Sequence, residues 1–176
     1  MTGENLLERL LNSFAGDYDL ERNTKVGTIV YDAHAYLNVR NARYVLVKKA
    51  ELWRADCYEH VYFRCVDAWE PGMLSELKEQ IQTILEPDMV RKGEKYPPKD
   101  HMYTFITVIY IANKGVSRDC EKEIRSFRYH KDYLFSFRGY CQARVLVFDL
   151  ENERILGNRA AGELVRGYTK QEGMWR

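Results

Sequence analysis

The sequence predicts a mixed α/β or α+β domain with helices packed on a sheet, in the order α-β-β-β-α-β-α-β-β. Three observations carry this reading. Some stretches repeat apolar residues at helical spacing, others alternate them at period two, and the run 102–112 is apolar on both faces. At 176 residues the chain suits a single globular domain over 1–176. A domain of that size can bury roughly 70% of its unfolded surface, so it needs no metal or disulfide staple.

Within residues 4–14, Leu6, Leu7, Leu10, Leu11 and Phe14 share one helical stripe, and "AGDYD" ends that helix. From Val26 the period becomes two. Ile29, Tyr31, Ala33, Ala35 and Leu37 alternate with Thr28, Asp32, His34, Tyr36 and Asn38, as in a half-buried strand. "NVRNAR" reads as a turn, residues 43–54 as a second strand, "DCY" as a break and "EHVYFRCV" as a third strand. Short breaks between three strands predict an antiparallel meander in a mixed sheet.

Pro71 suits the first turn of a second helix. Its stripe of Leu74, Leu77, Ile81, Ile84 and Leu85 stops at Glu86-Pro87. Residues 87–101 then form a polar, proline-bearing loop. The run 102–112 reads as a central strand covered on both sides. Ser117 caps a third helix that buries Cys120, Ile124 and Phe127, with acids early and arginines late.

A long strand over 133–149 and a short one over 154–157 complete the order. In that register Tyr133, Phe135, Phe137, Gly139, Cys141, Ala143, Val145 and Val147 face the core. Ser136, Arg138, Tyr140, Gln142 and Arg144 face away. Residues 169–176 read as a tail that frays or docks on a partner.

Composition narrows the function classes. Lys plus Arg total 27 against 26 for Asp plus Glu, a net charge of +1. That balance argues against a dedicated nucleic-acid coat. Cys57, Cys65, Cys120 and Cys141 include no CxxC pair, so neither a zinc ribbon nor a thioredoxin-like motif is present. Reduced, packed cysteines suit a cytoplasmic protein. The N-terminal stretch lacks the features of a signal peptide. The longest apolar run falls far short of a span, so no membrane partner is expected.

Two sets of residues are candidates for a site. Asp32, His34, Glu51 and His60, with Lys49 nearby, lie on polar strand faces and can converge on a proton or a metal. Cross-strand ion pairs on an exposed face produce the same composition. Arg125, Arg128, Lys131, Arg138, Tyr140 and Arg144 can form a basic face for phosphate or single-stranded nucleic acid. Solvated basic faces are common, which weakens that reading. There is no GxGxxG, GxxxxGK[ST], HExxH or GxSxG, and no cofactor or metal site is expected.

The element order is similar to the core of restriction-endonuclease-like nucleases, which carry an acid-x-Lys on a strand. Here Lys49-Ala50-Glu51 reverses that order, and Val61 stands where Glu59 would need a lysine partner. The stretches "YVLVKKAELW" and "FRYHKDYLFSFRGYCQARVLVFDL" resemble a bacterial, mostly Firmicutes, family of small cytoplasmic proteins catalogued as a domain of unknown function. That resemblance implies no chemistry for any residue. The expected function is a non-enzymatic protein-interaction domain, with a protein partner or a second copy as its ligand. The alternatives are a nucleic-acid-binding or inactive nuclease-like module, and a metal-dependent hydrolase.

Overall fold

The computed structural model describes residues 1–44, 51–171 and 175, with backbone alone for residues 40–44 and 51–54. Helix α1 (Gly3–Phe14) starts at Thr2, whose hydroxyl accepts the Asn5 N–H at 3.3 Å. Its leucine stripe, Leu6, Leu7, Leu10 and Leu11, is buried. Strands β1 (Asp19–Val26), β2 (Ile29–Tyr44) and β3 (Glu51–Val66) follow as the antiparallel meander. The β1–β2 hairpin turns at Gly27, whose φ of 59° supplies the left-handed residue that a two-residue hairpin loop requires.

Helix α2 (Met73–Gln80) continues without a break into a π-helical segment, Ile81–Val90. Strand β4 (His101–Ala112), helix α3 (Arg118–Ser126) and strands β5 (His130–Asp132), β6 (Tyr140–Asp149) and β7 (Arg154–Gly157) come next. A 3₁₀ turn, Arg159–Ala161, leads into α4 (Gly162–Thr169). The fold is thus a mixed α+β domain on a seven-stranded sheet, in the order β1-β2-β3-β4-β6-β5, with β7 also paired to β6. Strands β3, β4 and β6 run parallel, as the α2 and α3 crossovers between them require.

The sheet is covered on both faces. Leu74, Leu77, Ile81, Leu85, Cys120 and Ile124 pack against Ile106, Val108, Tyr110, Val145 and Val147. The α1 leucines pack on the other face, against Val61, Phe63, Ile109, Ile111, Leu146 and Phe148. Strand β4 therefore buries both its even and its odd residues, which explains its continuous apolar run. At one end of the α1 face the sheet is left open, and Leu37, Glu59, Tyr103, Phe105 and Arg144 line a shallow depression there of about 220 Å³.

Several boundaries depart from expectation. The expected turn at "NVRNAR" lies inside β2, and the expected break at "DCY" lies inside β3. The two strands pair continuously from Ala33↔Phe63 to Arg43↔Trp53, so a long ladder overrides local turn preference. Part of the expected 43–54 strand, residues 45–50, lies outside the described residues. Strand β1 precedes the alternation that begins at Val26, and no element is predicted there; its residues are almost all exposed and carry no apolar alternation.

Helix α2 does not stop at Pro87. The wide π turn gives the ring room, at the cost of one backbone bond. Tertiary contacts hold the segment in place. The buried Glu86 carboxylate accepts from Arg91 Nε at 2.8 Å and the Tyr133 hydroxyl at 2.7 Å, and pairs with Lys131 at 3.0 Å. Burial pushes this carboxyl up, but the bonds from Tyr133, Arg91 and Lys131 outweigh it and hold the pKa below the usual range. Polar loop character is confined to the residues between Val90 and His101.

The expected 133–149 strand is interrupted. Residues 133–139 form a tight loop, and Phe135 and Phe137 are 96% and 85% exposed instead of buried. The alternation does hold over β6, where Cys141, Ala143, Val145 and Val147 are buried. Helix α4 had no expectation. Trp175 lies against Phe148, with ring centroids 6.2 Å apart, and the other residues after Gln171 fall outside the described set.

Candidate functional site

The meander brings His34 of β2 beside His60 of β3, because His34 pairs with Tyr62 and Tyr36 with His60 in the antiparallel register. His34 Nε2 and His60 Nδ1 are 3.1 Å apart. One imidazole N–H donates to the bare nitrogen of the other, an arrangement that requires the accepting ring to be neutral. The rings are parallel at 5.2 Å between centroids. Tyr62 stacks on His34 at 4.4 Å, and Tyr36 packs on His60 at 4.8 Å. The result is a ladder of aromatic rings across the sheet.

Burial sets the electrostatics of this ladder. Burial first, and the neighbouring His34 second, together lower the His60 pKa to about 3. Burial also lowers the His34 pKa, against an opposing pull from Glu21. Both imidazoles are therefore uncharged near neutral pH and serve as flat polar surface rather than as cations.

Beside the ladder lies a groove of about 440 Å³, a size suited to a small molecule or a single side chain. Strand β1 contributes Asp19, Leu20 and Glu21; β2 and β3 contribute His34, Tyr36, Tyr58 and His60. The π-helical segment closes the far side with Asp88 and Met89, and Lys92 follows it. Leu20 and Met89 are about 40% exposed apolar rims. The Lys92 ammonium sits 5.8 Å from the centre of the Tyr58 ring, within reach of a cation–π contact. Three carboxylates thus surround an aromatic floor already touched by a tethered cation. No sequence motif marks this set, because it comes from four separated segments.

The structure brings together only part of the first candidate set. His34 and His60 meet. Asp32 instead accepts the Cys65 backbone N–H at 2.6 Å. The Glu51 side chain and Lys49 lie outside the described residues. Among the described residues, no three His, Cys, Asp or Glu side chains are placed to hold a metal ion.

The basic set does not form one surface. Arg125 pairs with Glu121, Lys131 with Glu86, and Arg138 donates to the Pro97 carbonyl at 2.9 Å. Arg128 lines a separate depression with His130, Gln142 and Arg159. Tyr140 stacks on His130 and on Tyr103. Arg144 lies on the open sheet face, where it pairs with Glu59 at 3.2 Å and stacks 3.3 Å over Phe105. Glu59 also accepts from Tyr18 at 2.8 Å and Thr107 at 3.0 Å, which makes it a polar hub outside both candidate sets.

Among the described residues, no helix is long and apolar enough to cross a membrane. No curated protein and no solved structure matches the chain. Residues 2–170 match the family described as Domain of unknown function (DUF8052), and the chain belongs to that family.

Proposed function

We propose that the groove beside His34 and His60 binds an organic cation, either a free amine or a basic side chain offered by a partner. The domain acts by binding rather than by chemistry of its own, in a bacterial cytoplasm. One observation carries the reading: three carboxylates, Asp19, Glu21 and Asp88, surround an aromatic floor over which Lys92 already lies. Aromatic faces and carboxylates together favour cations over anions. A His60 pKa near 3 makes that imidazole a weak general base at neutral pH, which supports binding over catalysis. The cysteines, all free, support a reducing compartment.

Calorimetric titration with agmatine, tetramethylammonium and benzoate tests the proposal. The two cations bind and benzoate does not. Tyr58→Ala and Asp88→Asn weaken binding about tenfold, while Lys92→Ala strengthens it by removing the tethered competitor. Equal affinity for benzoate, or weaker cation binding in Lys92→Ala, refutes it.

A further inference from the structure

Strand β4 occupies one edge of β6 along its whole length. On the other edge β5 pairs with residues 140–142 and β7 with residues 146–149, which leaves a gap between them. A depression of about 310 Å³ lies at this gap, with Phe127, Tyr129, Ala143 and Ala160 as its apolar wall. Its polar lining includes Arg128, His130, Gln142 and Arg159. No carboxylate lines it, whereas three line the groove beside His34 and His60.

One buried amide holds the two arginine-bearing segments together. Asn158 donates to the Phe127 and Ala143 carbonyls at 3.2 and 3.1 Å, and it accepts from the Val145 and Ala161 N–H groups at 3.0 and 3.2 Å. The Tyr129 carbonyl accepts the Ala143 N–H at 3.0 Å. The chain on both sides of Arg128 is thereby fixed to β6 or to Asn158, and Asn158 itself precedes Arg159. Backbone anchored in this way lowers the cost of ordering a site when a ligand arrives.

The charges at the depression are not neutralised. Among the described residues, neither the Arg128 nor the Arg159 side chain has a hydrogen-bond or ion-pair partner. By contrast Arg22, Arg64, Arg125, Arg144 and Arg154 each pair with a carboxylate. Two acids lie close by in the chain or the fold. Asp132 is already engaged by His130 at 3.1 Å and by the Ser136 hydroxyl at 2.7 Å. Glu123 and Lys78 line an adjoining depression that Arg128 also borders, and Glu123 pairs with neither cation. The Gln142 side chain is half-buried and also has no partner among the described residues. Two unpaired guanidinium groups and an unused amide therefore line one cavity.

We propose that this depression binds the phosphate group of a small phosphomonoester. Arg128 and Arg159 contact its oxygens, Gln142 adds a donor, and the organic part lies against the apolar wall. Guanidinium forks match phosphate oxygens and form charge-assisted bonds with them. A phosphomonoester carries nearly two negative charges at neutral pH, enough to neutralise both arginines, which one carboxylate does not. The volume falls at the lower end of small-molecule sites, with room for more than the phosphate group.

Calorimetric titration of the full chain with phenyl phosphate, inorganic phosphate, benzoate and oligothymidylate tests this at about pH 7.5, where the monoester is a dianion. Phenyl phosphate binds, inorganic phosphate binds more weakly for want of the apolar contact, and benzoate does not bind. Arg128→Ala and Arg159→Ala each weaken phenyl phosphate binding about tenfold. Their melting temperatures stay unchanged, because both side chains are exposed and unbonded. Arg118→Ala removes an exposed arginine outside the depression, likewise without a partner among the described residues, and leaves binding as it was. Failure of phenyl phosphate to bind overturns the proposal, as does full affinity in Arg128→Ala or Arg159→Ala. An equal loss in Arg118→Ala would mark diffuse charge attraction and overturn it too. So would inorganic phosphate or benzoate binding as tightly as phenyl phosphate, or oligothymidylate binding more tightly, the mark of a nucleic-acid contact. Asp88→Asn leaves phenyl phosphate binding unchanged, which separates this test from that of the groove.

Discussion

Acid should weaken this fold through His60 in particular. Its folded pKa is about 3, well below the ordinary value of 6.5, because burial disfavours the charged ring. In the unfolded chain the same imidazole takes up a proton below pH 6.5. The contribution of the neutral ring is therefore complete above that pH and is lost as pH falls from 6.5 toward 3. In that window the unfolded state carries one more proton than the folded state at this site. Stability then falls by about 1.4 kcal/mol per pH unit. Between about pH 6.5 and about pH 5, above most carboxylate titration, the loss from His60 is about 2 kcal/mol. Urea denaturation of wild type and His60→Asn at about pH 7 and about pH 5 measures it. His34 and His101, whose pKa values are also lowered by burial, are present in both proteins and largely cancel. The acid-induced loss should be about 2 kcal/mol smaller in His60→Asn. An identical loss in the two proteins would refute the neutral, buried imidazole pair.

Other substitutions probe the rest of the frame. Gly139→Ala should cost more than about 2 kcal/mol, since φ is 71° and a Cβ would lie 2.0 Å from the Met102 carbonyl oxygen; an unchanged melting temperature would contradict this. Asn158→Ala should cost about 3 kcal/mol in chemical denaturation. The buried amide accepts from Val145 and Ala161 N–H groups and donates to the Phe127 and Ala143 carbonyls. Ser117→Ala should cost about 1 kcal/mol by removing the acceptor for the Cys120 N–H, and Ser117→Asp should restore most of it.

Periodicity carried the regular parts of the fold. The leucine stripe of α1, the doubly apolar β4, the Ser117 cap and the alternation across β6 were all legible, because each is a local pattern enforced by burial. Where long-range contacts outweigh local preference, legibility ended. The β2–β3 ladder runs through residues that read as turns, since each added pair of strand residues satisfies more backbone than a turn would. The π-helical segment passes Pro87 because Glu86 is held by Lys131 and Tyr133 from a distant stretch, besides Arg91 at the end of its own turn.

The candidate sites divide in the same way. Their polar strand residues stood out in the sequence, and the pairing of His34 with His60 rests on the hairpin register. Asp19 and Glu21 pair with Tyr36 and His34 across the β1–β2 hairpin, whose first strand carries no alternation, and Asp88 and Lys92 reach the same groove through tertiary packing. The stretch from Tyr133 to Gly139 is the sharpest case. Its alternation is that of a strand with buried phenylalanines, yet the backbone turns left-handed there and presents both rings to solvent. Alternation states which residues share a face if the chain stays extended. Whether it stays extended was decided by the bonds that close the loop and by those that tie Arg138 to Pro97 and His101.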